Sequence, residues 1–340
     1  MASRRVPVRA ALIGSAALIA LAGPAAVAQS PAAEPLTVKA VYSSVIEEPW
    51  DGVIHAALEA EAAAGRITHT YQDSIGYDGQ MEFVLQEVAS EGPDIIFGDS
   101  FGNEEAVRRA AAQFPDIPFV FGSGGGPAEP NFSVFDNWIH EPAYLAGMLA
   151  GGLTKSNVIG VVAGYPVPEV NRITNAFIAG ATTQNPEVEV KVTFINSWFD
   201  PATAKEAAVA QIGQGADVLY AERAGVIEAA VEAGIPVVGN MADQQELGPE
   251  NVVTSVMWNM APTVEYVVDQ VRAGAYTSQD LKDFTMMAKG GADLAPINPA
   301  IDVPADLAAA VDAKKADILS GLFRVDINES QPAGSTVVGQ

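Results

Sequence analysis

The chain has 340 residues, with 42 Asp and Glu against 18 Lys and Arg and a formal net charge of −24. A field of that sign repels phosphate backbones and anionic lipid, which argues against nucleic acid; it admits a small neutral or cationic ligand more easily than a polyanion, and solubility alone accounts for it equally well. There is no cysteine, so disulfides and thiolate-held metals are excluded and stability must come from apolar burial, for which the length allows two domains.

Met1 to Arg9 carries Arg4, Arg5 and Arg9 and no acid, and Ala10 to Ala22 is a thirteen-residue apolar run. Gly23-Pro24 and the small triplet Ala26-Val27-Ala28 follow. This order predicts a secretory signal cleaved after Ala28, because the run is shorter than the ~20 residues that span a bilayer. Without a cysteine the mature N-terminus, Gln29, takes no lipid. Residues 29–36 predict a disordered Pro/Ala leader.

Beyond the leader, β-rich runs alternate with Ala-rich amphipathic stretches. Strands are predicted at 36–43, 67–72, 94–97 and 117–121, with helices at 52–64, 78–91 and 103–114 between them. The rhythm restarts with a helix at 140–153, a strand at 157–162, a helix at 170–183 and a strand at 188–195. It continues through helix 202–214, strand 217–220, helix 225–233, and strands at 237–239 and 252–257. A helix at 262–273, a strand at 284–287, a helix at 304–320 and a frayed tail from Glu329 complete the chain. Such alternation predicts parallel sheets covered on both faces. Two doubly wound lobes result: 37–138 with 259–298, and 139–258, followed by a C-terminal helix and tail over 299–340. Crossings fall near 136–141, 258–262 and 295–299, which makes the molecule a clamshell whose ligand sits beyond the carboxyl ends of the strands.

Those ends carry aromatics beside carboxylates, amides and hydroxyls. The first lobe offers Glu47-Glu48-Pro49-Trp50-Asp51 and Gly98-Asp99-Ser100-Phe101. The second offers Gly164-Tyr165-Pro166, Ser197-Trp198-Phe199-Asp200, Glu222-Arg223, Gly239-Asn240-Met241 and Trp258-Asn259. Three of the four tryptophans lie there. Flat faces stack on flat ligands while neighbouring polar groups fix the edge, a demand met by a nucleobase and also by a sugar ring. The run Gly122-Ser123-Gly124-Gly125-Gly126 lacks the phosphate-loop pattern and reads as a turn. His55, His69 and His140 read as isolated, so no metal or cofactor is expected. No nucleophile elbow or nucleophile–base pair is evident, which points away from an enzyme. Asn131-Phe132-Ser133 fits a glycosylation triplet only.

Several stretches, in order, resemble the basic membrane protein (BMP) family of bacterial ABC-transporter substrate-binding proteins. They are Gly92-Pro93-Asp94-Ile95-Ile96-Phe97 with Ser100-Phe101-Gly102, Phe114-Pro115-Asp116, and Glu141-Pro142-Ala143-Tyr144-Leu145-Ala146-Gly147. Asn157-Val158-Ile159-Gly160, Phe177-Ile178-Ala179-Gly180-Ala181, Asn185-Pro186, Trp198-Phe199-Asp200-Pro201 and Gln214-Gly215-Ala216-Asp217-Val218-Leu219 continue the series. The resemblance runs from about Leu36 to Pro304 and implies a type I periplasmic-binding-protein fold that clasps a purine base or nucleoside. It matches Trp50, Trp198 and Phe199 to the clasping aromatics, and Asp99 and Ser100 to first-lobe polar contacts. Asn240 stands where many members have aspartate, and Glu48-Pro49-Trp50-Asp51 replaces a common D-x-S-[FW]-N pattern.

The expected protein is thus a periplasmic, monomeric carrier serving an inner-membrane ABC permease. Its expected ligand residues are Trp50, Asp51, Asp99, Ser100, Phe101, Tyr165, Trp198, Phe199, Asp200, Glu222, Asn240 and Trp258. Trp50 and Trp198 are expected to stack on the ligand, and Asp99, Asp200, Glu222 and Asn240 to read its edge. Alternatives are the same fold holding a sugar or an autoinducer-like ligand, for transport or sensing, and a nucleoside hydrolase.

Overall fold

The computed structural model describes residues 1–2 and 34–339. The predicted signal region from residue 3 onward, its cleavage point and the leader as far as residue 33 lie outside the described residues. Among the described residues no helix is long and apolar enough to cross a membrane.

The first sheet is wholly parallel, in the order β2-β1-β3-β4-β5. Its strands are β1 (Leu36–Val41), β2 (Ile67–Gln72), β3 (Ile95–Asp99), β4 (Phe119–Gly122) and β5 (Phe132–Phe135). α1 (Pro49–Ala63), α2 (Met81–Ser90) and α3 (Glu104–Gln113) connect the first four. β3 and β4 are buried along their whole length. Their near-continuous apolar sequences are what a parallel strand covered on both faces requires.

The second sheet runs β11-β10-β9-β8-β6-β7-β12. It comprises β6 (Val158–Ala163), β7 (Glu189–Phe194), β8 (Val218–Ala221), β9 (Val237–Met241), β10 (Val252–Trp258), β11 (Ala292–Leu294) and β12 (Thr336–Val337). All pairs are parallel except β10 with β11. α4 (His140–Leu153), α5 (Pro168–Gln184), α6 (Pro201–Gly213), α7 (Val226–Ala233), α8 (Ala261–Arg272) and α9 (Ala305–Leu319) complete the chain. α4 and α5 pack backbone to backbone: a Cβ on Gly147 would strike the Phe177 carbonyl, and one on Gly180 the Tyr144 carbonyl.

Four expectations need correction. The loop read at 47–51 is the first turn of α1, because Glu48 caps the helix and Pro49 starts it. The strand read at 284–287 is a pair of short 3₁₀ turns, Lys282–Thr285 and Met287–Lys289. The 259–298 segment, assigned whole to the first lobe, is divided. Residues 279–281 hydrogen-bond along β5 in the first sheet, whereas Ala292–Leu294 joins the second. The third crossing therefore falls near Met286 rather than at 295–299. The tail is not frayed along its length, since Thr336–Val337 pairs with β7 and Glu329 holds Arg172 at 2.7 Å.

Candidate functional site

The carboxyl ends of both sheets meet in a cleft, and a helix cap is its keystone. Glu48 Oε2 accepts the N–H groups of Trp50 (2.8 Å) and Asp51 (3.2 Å), while Pro49 needs no partner at the first helical position. The cap leaves Oε1 free. It accepts Arg223 Nη1 at 2.9 Å from the opposite lobe. Arg223 follows β8 and is gripped by its neighbour: Nε and Nη2 donate to Glu222 Oε2 (2.9 Å) and Oε1 (2.6 Å). Gly164 N–H steadies Glu222 Oε2 at 2.9 Å, and the Trp198 carbonyl takes a further bond from Arg223 Nη1 at 3.0 Å. All three charged side chains are buried. Burial works against the guanidinium charge, but Glu222 and Glu48 outweigh it and keep Arg223 cationic. Burial raises the Glu48 carboxyl above its ordinary range, and Arg223 pulls it back only in part.

Two tryptophans flank this ion pair, each resting on a strand-end glycine. A Cβ on Gly122, the last residue of β4, would run into the Trp50 indole; one on Gly164, just past β6, would come within 3.0 Å of the Trp198 ring. Trp50 is backed by Phe135, stacked at 5.8 Å between centroids, and by Trp258 at 5.0 Å. Trp198 meets Phe101 of the first lobe edge to face at 4.8 Å and Tyr165 at 4.7 Å. The Arg223 guanidinium lies 5.3 Å from its ring centroid. The lobes are thus closed on each other.

Ser44, Asp51, Tyr77, Asp99, Ser123 and Glu169 line the remaining space between these aromatics. Asp51 Oδ2 accepts Ser44 N–H at 3.1 Å, but its buried Oδ1 has no partner, and neither has Trp50 Nε1. Burial, then the nearby Asp99 and Glu48, push the Asp51 carboxyl well above its usual range. Burial likewise raises Asp99 to about 7, against the pull of Phe101 N–H and the Ser123 hydroxyl. Burial and Asp136 raise Glu169. The cleft is therefore rich in acceptors that are costly to leave unpaired, and it suits a ligand with N–H or O–H donors.

Residues 40–285 match the family described as ABC transporter substrate-binding protein PnrA-like, Bmp. The chain belongs to the Bmp family. A protein of Brucella abortus named a purine-binding protein is 30% identical over 266 residues, covering 77% of this chain and 73% of its own length. A Haloferax volcanii protein named an ABC transporter glucose-binding protein is 39% identical over 190 residues, 54% of this chain. This chain spans about half, 48%, of that relative. Among solved structures, an ABC transporter solute-binding protein from Conexibacter woesei superposes with a TM-score of 0.70 at 26% identity. The match covers 86% of this chain and 99% of that one.

Within this Bmp-family cleft the expected ligand residues separate into three groups. Trp50, Asp51, Asp99, Phe101 and Trp198 line the space itself. Five others stand behind it. Ser100 Oγ bonds the Gly122 carbonyl, Tyr165 and Trp258 back the two tryptophans, and Glu222 grips Arg223. Asn240 accepts from Tyr220 Oη at 2.7 Å and donates to the Glu222 carbonyl. Phe199 and Asp200 lie outside this lining. The Phe199 side chain is exposed, and Asp200 caps α6 by accepting from Thr203 N (3.0 Å) and Thr203 Oγ1 (2.8 Å). Those two bonds hold the Asp200 carboxyl below its ordinary range. Asp200→Ala should lower Tm by a few degrees through the lost cap and leave ligand affinity unchanged. Scanning and titration calorimetry on one preparation check both, and a tenfold loss of affinity would return Asp200 to the cleft.

Sequence reasoning missed Ser44, Glu48, Tyr77, Ser123, Glu169 and Arg223. Two of these carried a signal: an acid directly before a helix-starting proline (Glu48-Pro49), and an acid–base pair ending an apolar strand (Glu222-Arg223). Ser123 lies in the glycine run read as a turn. The histidines are also corrected. His55 and His69 are neighbours, Nδ1 to Nε2 at 3.3 Å, and His55 stands four residues before Glu59 on α1.

Proposed function

We propose that this Bmp-family protein binds a purine base or nucleoside between its lobes and delivers it, unchanged, to the permease of an ABC importer. The carrying observation is the unpartnered pair in the cleft, Trp50 Nε1 and Asp51 Oδ1, set beside Asp99 and walled by Phe101 and Trp198. A purine supplies what each lacks: a ring nitrogen for the indole N–H, ring or exocyclic N–H groups for the carboxylates, and a face for an aromatic wall. Stacking of a base on an aromatic contributes ~1–3 kcal/mol. The Brucella relative's name supports this ligand class. The predicted export signal supports a periplasmic site of action, and closure about one ligand needs only a monomer.

A sugar is the second reading, favoured by the name of the Haloferax relative and by the ability of carboxylates to accept sugar hydroxyls. One experiment separates the two. Native mass spectrometry of protein recovered from the periplasm should give a chain beginning at Gln29, monomeric and carrying a purine-sized mass. Calorimetry on ligand-stripped protein should then show binding of adenine, hypoxanthine or their nucleosides, recovered intact, and none of glucose. Binding of glucose without purines reverses the reading, and a retained Met1 removes the export assignment.

A further inference from the structure

We infer that His55, Glu59 and His69 form a binding site for a divalent transition-metal ion of the zinc type, on the flank of the first lobe. Among the described residues these three form the one group of metal-ligating side chains whose ligand atoms all lie within 4.8 Å of one another. The topology assembles them. α1 follows β1 and returns to β2, which pairs with β1, so α1 lies over its own strand pair. His55 and Glu59, four residues apart, share one face of α1, and His69 is the third residue of β2. None of the three lines the ligand cleft.

Two of the three separations suit a small tetrahedral ion, and the third lies within 4.8 Å. With zinc–nitrogen and zinc–oxygen bonds of ~2.0–2.1 Å, ligand atoms stand about 3.3–3.5 Å apart. His69 Nε2 lies 3.3 Å from His55 Nδ1 and 3.7 Å from Glu59 Oε1. Two imidazoles and one carboxylate leave a fourth position for water. The His69 side chain is fully buried, whereas Glu59 is 57% exposed, which gives the site an inner wall and an open mouth. The Tyr71 ring, 4.5 Å from His55 between centroids, forms part of the wall. An N₂O donor set favours zinc and its neighbours over calcium or magnesium, which prefer oxygen alone. The bound ion would clamp the middle of α1 to the edge strand β2.

The test uses full-length mature protein without a polyhistidine tag, stripped with a chelator and titrated with Zn²⁺ against a chromophoric competitor. One equivalent should bind. His55→Ala and His69→Ala should each weaken it at least about tenfold. Glu59→Gln, at an exposed position that does not threaten folding, should weaken it several-fold. Co²⁺ should give the visible absorption of a low-coordinate N/O site in the parent chain and lose it in both histidine variants. Excess Ca²⁺ should leave the zinc in place. Retention of full zinc affinity by the histidine variants, displacement by Ca²⁺, or a cobalt spectrum like that of the aqueous ion would overturn the assignment. Unchanged cleft-ligand affinity in Glu59→Gln keeps this outcome separate from that of the proposed carrier function.

Discussion

Arg223→Met should weaken ligand binding by roughly a hundredfold and shift the molecule towards an open form. The argument rests on where the charges go. In the closed form Arg223 lies between Glu222 and Glu48, and all three are buried. Removing the cation leaves two carboxylates facing each other without water, and breaking a buried pair in this way costs about 3–5 kcal/mol. Opening hydrates both acids, so the cost falls on the closed form, and apparent affinity drops with the closed fraction. Glu48→Gln should be milder. The single amide oxygen can keep either the α1 cap or the Arg223 bond but not both, since Glu48 uses a separate oxygen for each, yet one buried anion is gone. Titration calorimetry reads the affinity, and small-angle scattering reads the opening as a larger radius of gyration. A parental Kd and scattering curve for Arg223→Met would show that this bridge does not hold the lobes together.

The same keystone shows what a sequence can and cannot reveal. Glu48-Pro49 and Asp200-Pro201 are one local pattern: an acid that caps a helix beginning with proline. From sequence, both stood at strand ends beside an aromatic. Only tertiary placement separates them, because Glu48 has a second oxygen that reaches across the cleft, whereas both Asp200 oxygens are spent on Thr203. The strand–helix alternation was legible because apolar runs such as those of β3 and β4 are dictated by burial on both faces. β5, β11 and β12 were not legible. β11 and β12 hold three and two residues, too few for a period to register, and β12 is placed only by pairing with β7, far earlier in the chain. His55 reads as isolated in the sequence, and His69 joins it and Glu59 only through the β1–α1–β2 turn of chain.

Asp99 should make both ligand binding and stability depend on pH, with signs that identify the ligand's edge. Its carboxyl is raised from the ordinary 3.8 to about 7 in the unliganded cleft, chiefly by burial. Between those values the folded protein holds a proton that the unfolded chain has released. This group's contribution to stability is therefore fully present below pH 4 and is lost as pH rises through 7. If the ligand donates an N–H to Asp99, only the ionised carboxylate binds it well. Affinity should then rise about tenfold per pH unit up to 7 and level off above, since protonation and ligand compete for one oxygen. If the ligand instead presents a bare ring nitrogen, the protonated acid is the binding form and the slope reverses. Asp99→Asn removes the titration in either case. It should reduce the slope of the affinity profile between pH 5 and 8 to what Asp51 and Glu169 contribute, and should raise Tm at pH 8, where the parent carries an ionised, desolvated carboxylate. Calorimetry of parent and variant across that range distinguishes the cases. A parent profile as flat as the variant's would mean that Asp99 does not meet the ligand, and that specificity rests on Asp51 and the Trp50 indole N–H.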